Sequence, residues 1–299
     1  MKHKIIKSFY ALVVALVGFI GSFFEADTYV ADTIKPAGDT VSVISVGQAN
    51  STLISSGGKF CLIDAGQTET GHTELLDYLD SAGVNEIEPL VVTHFHTDHT
   101  SELIDILDFY DVKNIVIPNL ETQNVPTTSF FDVFLDRVEM YDIKIAPAKK
   151  GDVYTVGNGT LTIVDDTYND LSINDTSVAT LFTQGDFTFL NTADGEADYE
   201  KRLAEVISVP VTLFTAGHHG SSTSNTEAFV DKIKPQFVAV SAGKDNEYGH
   251  PHKTVTDLFD KKGIQYNVTF RDGTLVYSID SKSLFTTIGE NDVLFGYQG

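Results

Sequence analysis

An apolar stretch, Leu90-Val91-Val92, runs directly into Thr93-His94-Phe95-His96-Thr97-Asp98-His99, and this junction constrains the fold more than any other part of the chain. Four ligand-type side chains fall within six residues. The alternation of a strand end points the His94 and His96 imidazoles to one side. Asp98 and His99 then turn with the chain toward the same spot. Side-chain packing alone does not favour such a run, because burying these groups without metal would leave several polar atoms unpaired. Nitrogen and oxygen donors of this kind can seat two divalent ions of borderline softness.

The rest of the chain supplies further donors. Of nine histidines, seven fall in three clusters: His94/His96/His99, His218/His219 and His250/His252. Each cluster follows an apolar strand or lies in the loop beyond it, where side chains from separate elements can converge. Strand patterns cover Val41 to Val46, Ser51 to Ile54 and Lys59 to Ile63, the last two joined by a Gly57-Gly58 turn. Helical spacing marks residues 72 to 82, Ser101 to Tyr110, Ser129 to Tyr141, Asp198 to Ile207, Glu227 to Ile233 and Thr254 to Lys262. Further strands are expected at Asn114 to Ile117, Ile143 to Ala146 and Leu161 to Val164. Val178 to Phe182 and Phe187 to Asn191 read as a hairpin. Val211 to Thr215, Phe237 to Ser241, Tyr266 to Phe270 and Thr274 to Ile279 complete the strand pattern. Strands and helices alternate without a strong linker, which predicts one α/β domain of two packed sheets over residues 40–280. Residues 281–299 are read as a tail. Cys61, the lone cysteine, lies in an apolar strand and reads as core.

Four segments resemble the metallo-β-lactamase superfamily, and more closely the extracellular hydrolase domain of ComEC competence proteins. They are Val46-Gly47-Gln48-Ala49-Asn50 with Leu62-Ile63-Asp64-Ala65-Gly66, then Thr93 to His99, then Asn174-Asp175-Thr176-Ser177 with Thr192-Ala193-Asp194-Gly195-Glu196. The fourth joins Gly217-His218-His219-Gly220-Ser221, Ser224 and Ser241-Ala242-Gly243 to Tyr248-Gly249-His250-Pro251-His252. The resemblance implies an αββα four-layer sandwich and a binuclear hydrolase with two divalent ions, zinc expected and manganese the alternative. His94 and His96 would hold one ion and Asp98 with His99 the other. Asp194 would bridge them, His219 would complete the second position, and Asp64 would orient an imidazole or the attacking water. Asp98, His218 and His252 form the implied catalytic set. One of His218, His250 and His252 would protonate a leaving group or hold a substrate oxygen, the others bonding loop backbone. His250, Ser221 and Ser224 are candidates for substrate contact, with helix capping as the other use of the serines.

Two features depart from the superfamily pattern. No histidine lies between His99 and Asp194, so the third imidazole of the first ion is missing. Ala49-Asn50 stands where the relatives carry Gly-Asp.

The implied substrate is a phosphodiester of nucleic acid, nucleotide or wall polymer; the stretch from His219 to Phe229 also resembles teichoic-acid phosphorylcholine esterases. A lactone or other ester is the alternative substrate. A binding module that merely kept the fold would have lost Asp98 or Asp194, and both are present. The formal net charge of −22 opposes stable binding of nucleic acid or anionic lipid by the bulk surface. Bound cations would invert that field locally. Residues 1–24 place Lys2, Lys4 and Lys7 before the apolar run Ala11 to Phe24, which predicts a signal peptide or membrane anchor followed by a linker over residues 25–39. The expected location is therefore secreted or at the outer face of the membrane, with membrane contact only through this segment.

Overall fold

The structure is a computed structural model that describes residues 38–67, 74–120, 126–165, 172–280, 283–286 and 297–298. The N-terminal apolar run and most of the expected linker lie outside these residues. Among the described residues, no helix is long and apolar enough to cross a membrane.

The first half carries β1 (Thr40–Val43), β2 (Thr52–Ser56), β3 (Lys59–Ile63), β4 (Glu86–Ile87), β5 (Leu90–Val91), β6 (Asp111–Val112), β7 (Asn114–Ile117) and β8 (Lys144–Pro147). The second carries β9 (Val153–Val156), β10 (Gly159–Asp165), β11 (Ala179–Gln184), β12 (Phe187–Asn191), β13 (Leu213–Thr215), β14 (Phe237–Val240), β15 (Gln265–Val268) and β16 (Leu275–Ser278). Within the segment read as a tail, β17 (Ser283–Thr286) and β18 (Tyr297–Gln298) follow. One sheet has the order β18-β17-β16-β1-β2-β3-β5-β7-β8, the other β15-β14-β13-β12-β11-β10-β9, and β4 pairs with β6 alone. Each large sheet is antiparallel on one side and parallel on the other. The parallel blocks are β3-β5-β7-β8 and β12-β13-β14-β15.

Three apolar layers separate four layers of structure. Along β3, Cys61 and Ile63 face the second sheet while Leu62 faces the outer helices, the period-two alternation of a strand buried on both sides. Val41, Ile54, Val91 and Val116 meet Leu161, Phe182, Phe189 and Leu213 between the sheets. On the outer face of the first sheet, Leu75 and Leu79 of α1 (Glu74–Ser81) pack with Leu103, Ile106 and Leu107. Beyond the short α2 (Thr97–Thr100), those last three lie on α3 (Leu103–Phe109), beside Phe131 and Phe134 of α4 (Ser129–Tyr141). On the other outer face, Tyr199 and Leu203 of α5 (Ala197–Val206) join Phe229 and Ile233 of α6 (Glu227–Ile233). Val255 and Phe259 of α7 (Lys253–Lys262) complete that layer. The architecture is the expected αββα sandwich. Cys61 is fully buried, and burial pushes its thiol up, away from reactivity.

Local chemistry sets the joints. Gly57 and Gly58 both take positive φ in the two-residue turn that closes β2 onto β3. Thr128 caps α4, its side chain accepting from the Phe131 N–H. The strand expected over Tyr266 to Phe270 ends at Val268, because Asp272 accepts from the Val268 N–H and turns Thr269–Asp272 into a short helix, α8. The strand expected from Val41 stops at Val43; Ser45 donates its N–H to the Thr274 hydroxyl instead of a ladder partner.

Candidate metal centre

Brought together at one end of the sandwich are the C-terminal ends of the parallel strands, where loops from neighbouring strands diverge and leave a crevice. Asp64 follows β3, His94 to His99 follow β5, and Asp194 lies just beyond β12. His218 and His219 follow β13, and Ser241 to Gly243 follow β14. The backbone is strained here: Asp64, Ala193, His218 and His219 have φ between 46° and 60°. Such left-handed residues cost about 1 kcal/mol or more each and persist where surrounding bonds over-determine them. Ala193 is held by its N–H on Asn191 Oδ1 at 2.7 Å and by its carbonyl accepting from the His218 N–H at 2.9 Å. Gly66 permits the closest approach, since a Cβ there would stand 1.6 Å from the Asp98 carbonyl oxygen.

Two donor sets result, and they share Asp194. One comprises Asp98, His99, Asp194 and His219; the other His94, His96 and Asp194. His94 Nε2 faces His96 Nδ1 at 3.0 Å and Asp194 Oδ2 at 3.9 Å. Phe95 points the opposite way, onto Phe131, as strand-like alternation requires. His99 Nε2 lies 3.2 Å from Asp194 Oδ1, and His219 Nε2 lies 3.1 Å from Asp98 Oδ2. Asp64 takes the orienting position. Its Oδ2 accepts from His99 Nδ1 at 2.7 Å and from the Thr93 hydroxyl at 2.8 Å, while Oδ1 accepts from the Thr93 N–H at 2.8 Å.

The electrostatics fit a cation site. Burial opposes charge on Asp194, yet His99 and His219 hold its carboxyl well below the usual range. Burial likewise works against Asp98, and the His219 hydrogen bond brings it down to about 2. His99 is raised well above an ordinary imidazole by Asp194 and Asp64, despite its burial. Burial keeps His94 and His96 neutral, with lone pairs available. Asp194 Oδ1 is buried and makes no hydrogen bond, with His99 Nε2 3.2 Å away, and it is an acceptor that a divalent ion would satisfy.

The remaining predicted residues take different places. His218 is partly exposed, with Nε2 3.7 Å from Asp194 Oδ2. His250 stacks on His219 with ring centroids 6.2 Å apart, and Gln48 Nε2 lies 3.3 Å from its Nδ1. Burial, with His219 beside it, lowers His250 to about 4. His252 accepts the Ser222 N–H on Nδ1 at 2.9 Å and reaches the Tyr248 carbonyl through Nε2 at 3.1 Å, so both nitrogens staple loop backbone. Ser224 is buried and donates to the Gly195 carbonyl at 2.9 Å. Ser221, also buried, accepts from the Thr223 N–H at 3.2 Å. Neither serine caps α6; Thr226 does, accepting from the Phe229 N–H.

Several positioning residues escaped the sequence reading. Asn225 accepts the Gly217 N–H and donates to the Gly217 and Ser221 carbonyls, pinning the His218-His219 loop. Glu200 accepts from the Asn225 and Thr226 N–H groups in turn. Its signal was present, a carboxylate on the apolar stripe of Tyr199, Leu203 and Ile207. The Ser241 carbonyl lies 2.9 Å from His219 Nδ1, and Asn50 Nδ2 lies 3.4 Å from His99 Nε2.

Fold and donor arrangement together define a class, the four-layer sandwich with a shared His/Asp metal cluster at its strand ends. The chain belongs to the metallo-beta-lactamase superfamily, whose family pattern it matches over residues 44–243. It is 27% identical over 248 residues to ComE operon protein 3 of Bacillus subtilis (strain 168), covering 80% of this chain and 31% of that protein. It is 26% identical to Recombination protein 2 of Haemophilus influenzae, covering 73% of this chain and 26% of that protein. The chain thus spans about a third or less of the length of these curated relatives. Among solved structures, Igni18, a metallo hydrolase from the archaeon Ignicoccus hospitalis, shares the fold. Its TM-score is 0.54 at 14% identity, over 80% of this chain and 99% of that one.

Proposed function

We propose that this chain is an exported, binuclear metal-dependent phosphodiesterase. The observation that carries the reading is the pair of donor sets joined through buried Asp194. When bound, two divalent ions make a water easier to deprotonate and offset negative charge developing on the substrate. His94, His96 and Asp194 would hold one, and Asp98, His99, Asp194 and His219 the other. Zinc suits these donors, with manganese the alternative. His99 is kept in register by Asp64, and His219 by the Ser241 carbonyl. His218, partly exposed with Nε2 3.7 Å from Asp194 Oδ2, would give a proton to the leaving oxygen. His252 is bonded through both nitrogens, and burial lowers His250 to about 4, which leaves it poorly suited to give a proton, so we assign the acid role to His218.

Support for a phosphodiester comes from the relatives, since the name of one, a recombination protein, points to nucleic acid. The acidic chain favours a substrate gripped at the metal centre over one bound along the surface. Export is proposed from the basic-then-apolar N-terminal segment alone.

The test is elemental analysis and hydrolysis of bis(p-nitrophenyl) phosphate on one chelator-free preparation, with Asp98→Ala beside it. About two metal ions per chain and activity lost in the variant are expected. Metal without phosphodiester cleavage would move the substrate to lactones or other esters.

A further inference from the structure

We propose that Tyr248, on the rim outside the metal centre, is a stacking platform for a nucleobase, so that the chain takes nucleotide-bearing phosphodiesters in preference to wall polymers. The proposal rests on the phosphodiesterase reading above and narrows its substrate class.

Three rings lead outward from the centre. His250 lies nearly parallel to His219, at 18° with centroids 6.2 Å apart. Tyr248 lies nearly parallel to His250, at 21° and 5.6 Å. Both separations belong to offset stacking. His250 covers one face of Tyr248, yet the residue is 59% exposed, so the other face meets solvent. A planar group laid on that face would continue the series.

Packing does not account for the ring, since Tyr248 belongs to none of the three apolar layers. Its backbone is nevertheless pinned. His252 Nε2 donates to the Tyr248 carbonyl at 3.1 Å, and the Asn246 carbonyl accepts from the Gly249 N–H at 3.1 Å. Asn246 also accepts the His250 N–H on Oδ1 at 2.9 Å and donates through Nδ2 to the His250 carbonyl at 2.7 Å. An aromatic face held in place before binding loses little freedom when a ligand arrives.

Charge does not supply the affinity at this rim. Lys244 is followed by Asp245 and Glu247, and Lys253 is paired with Asp257, on a chain of net charge −22. Every nucleobase has a π-face that stacks without ion pairing, whereas a polyol phosphate chain has none.

The chain contains no tryptophan, so Tyr248→Trp installs a single fluorophore at the platform. In the Zn²⁺-loaded full chain, thymidylyl-thymidine should quench its emission saturably, and glycerophosphoglycerol should not. Catalysis gives a second readout with two substrates that release the same p-nitrophenol, thymidine 5′-(p-nitrophenyl phosphate) and methyl p-nitrophenyl phosphate. Tyr248→Ala is expected to lower kcat/KM for the thymidine ester at least about fivefold more than for the methyl ester, and Tyr248→Phe to restore it. Equal losses on both esters, or no quenching by the dinucleotide while both esters are cleaved, overturns the platform and leaves the phosphodiesterase reading intact. Quenching without cleavage of either ester supports the platform and defeats that reading.

Discussion

Asp64 uses both carboxylate oxygens on its own protein, one on the Thr93 N–H, the other on the Thr93 hydroxyl and His99. An amide in its place keeps the shape but cannot accept from all three donors. Asp64→Asn is therefore expected to weaken metal binding about 10–100-fold while leaving the fold intact. Equal affinity in a Zn²⁺ titration would remove Asp64 from the orienting role. Two residues further on, a methyl at Gly66 would collide with the Asp98 carbonyl oxygen at 1.6 Å, and the three nearest atoms are all backbone that cannot give way cheaply. Gly66→Ala should cost about 3 kcal/mol in a denaturant titration, the upper part of the range for overpacking. A loss under about 0.5 kcal/mol, the level of a neutral surface change, would mean that the loop relaxes freely. The run from His94 to His99 was legible because its residue types sit close together in the chain. Asp64 was harder to weigh, since a lone Ile-Asp-Ala-Gly suits an ordinary turn equally well.

At the scale of elements, α5 and α6 hold the His218-His219 loop through Glu200 and Asn225. Glu200 is fully buried, and burial raises its carboxyl to about 7 against two backbone N–H groups that favour the charge. An ordinary glutamate titrates near 4.5. As pH rises between these values, the unfolded chain has released the proton that the folded chain retains. Stability from this group is therefore fully present below the lower value and lost as pH rises through the upper one. Glu200→Gln cannot ionise and should flatten that slope, at a cost of about 1 kcal/mol for the acceptor given up. Denaturant midpoints compared at pH 5 and pH 8 would show it, and an unchanged slope would place the proton elsewhere. Most helices and strands were legible from apolar periodicity, down to the β11–β12 hairpin. Their ends were less so, because Thr269 and Thr274 bond across loops that no local window contains.

Across the whole molecule, the donors come from both sheets: His94, His96, Asp98 and His99 from the first, Asp194 and His219 from the second. Ions bound there would clamp the two sheets together. At about 100 times its dissociation constant, each ion should add about 2.7 kcal/mol. That corresponds to a rise of roughly 5–10 °C in melting temperature for a domain of this size. Scanning calorimetry with and without chelator would measure it, and coincident melts would argue against metal at the sheet junction. The amino-acid sequence by itself determined the alternation that buries each sheet on two faces, the glycine turns, and the ligand types. Those depend on backbone period and side-chain chemistry, which are local. Only the tertiary structure decided that Asp194 and His219 meet Asp98 and His99, that His252 and Ser224 serve the loops, and that Glu200 supports the centre. The partner of a polar group is set by which strand ends the topology brings together, and Asp98 and His219 are 121 residues apart in the chain.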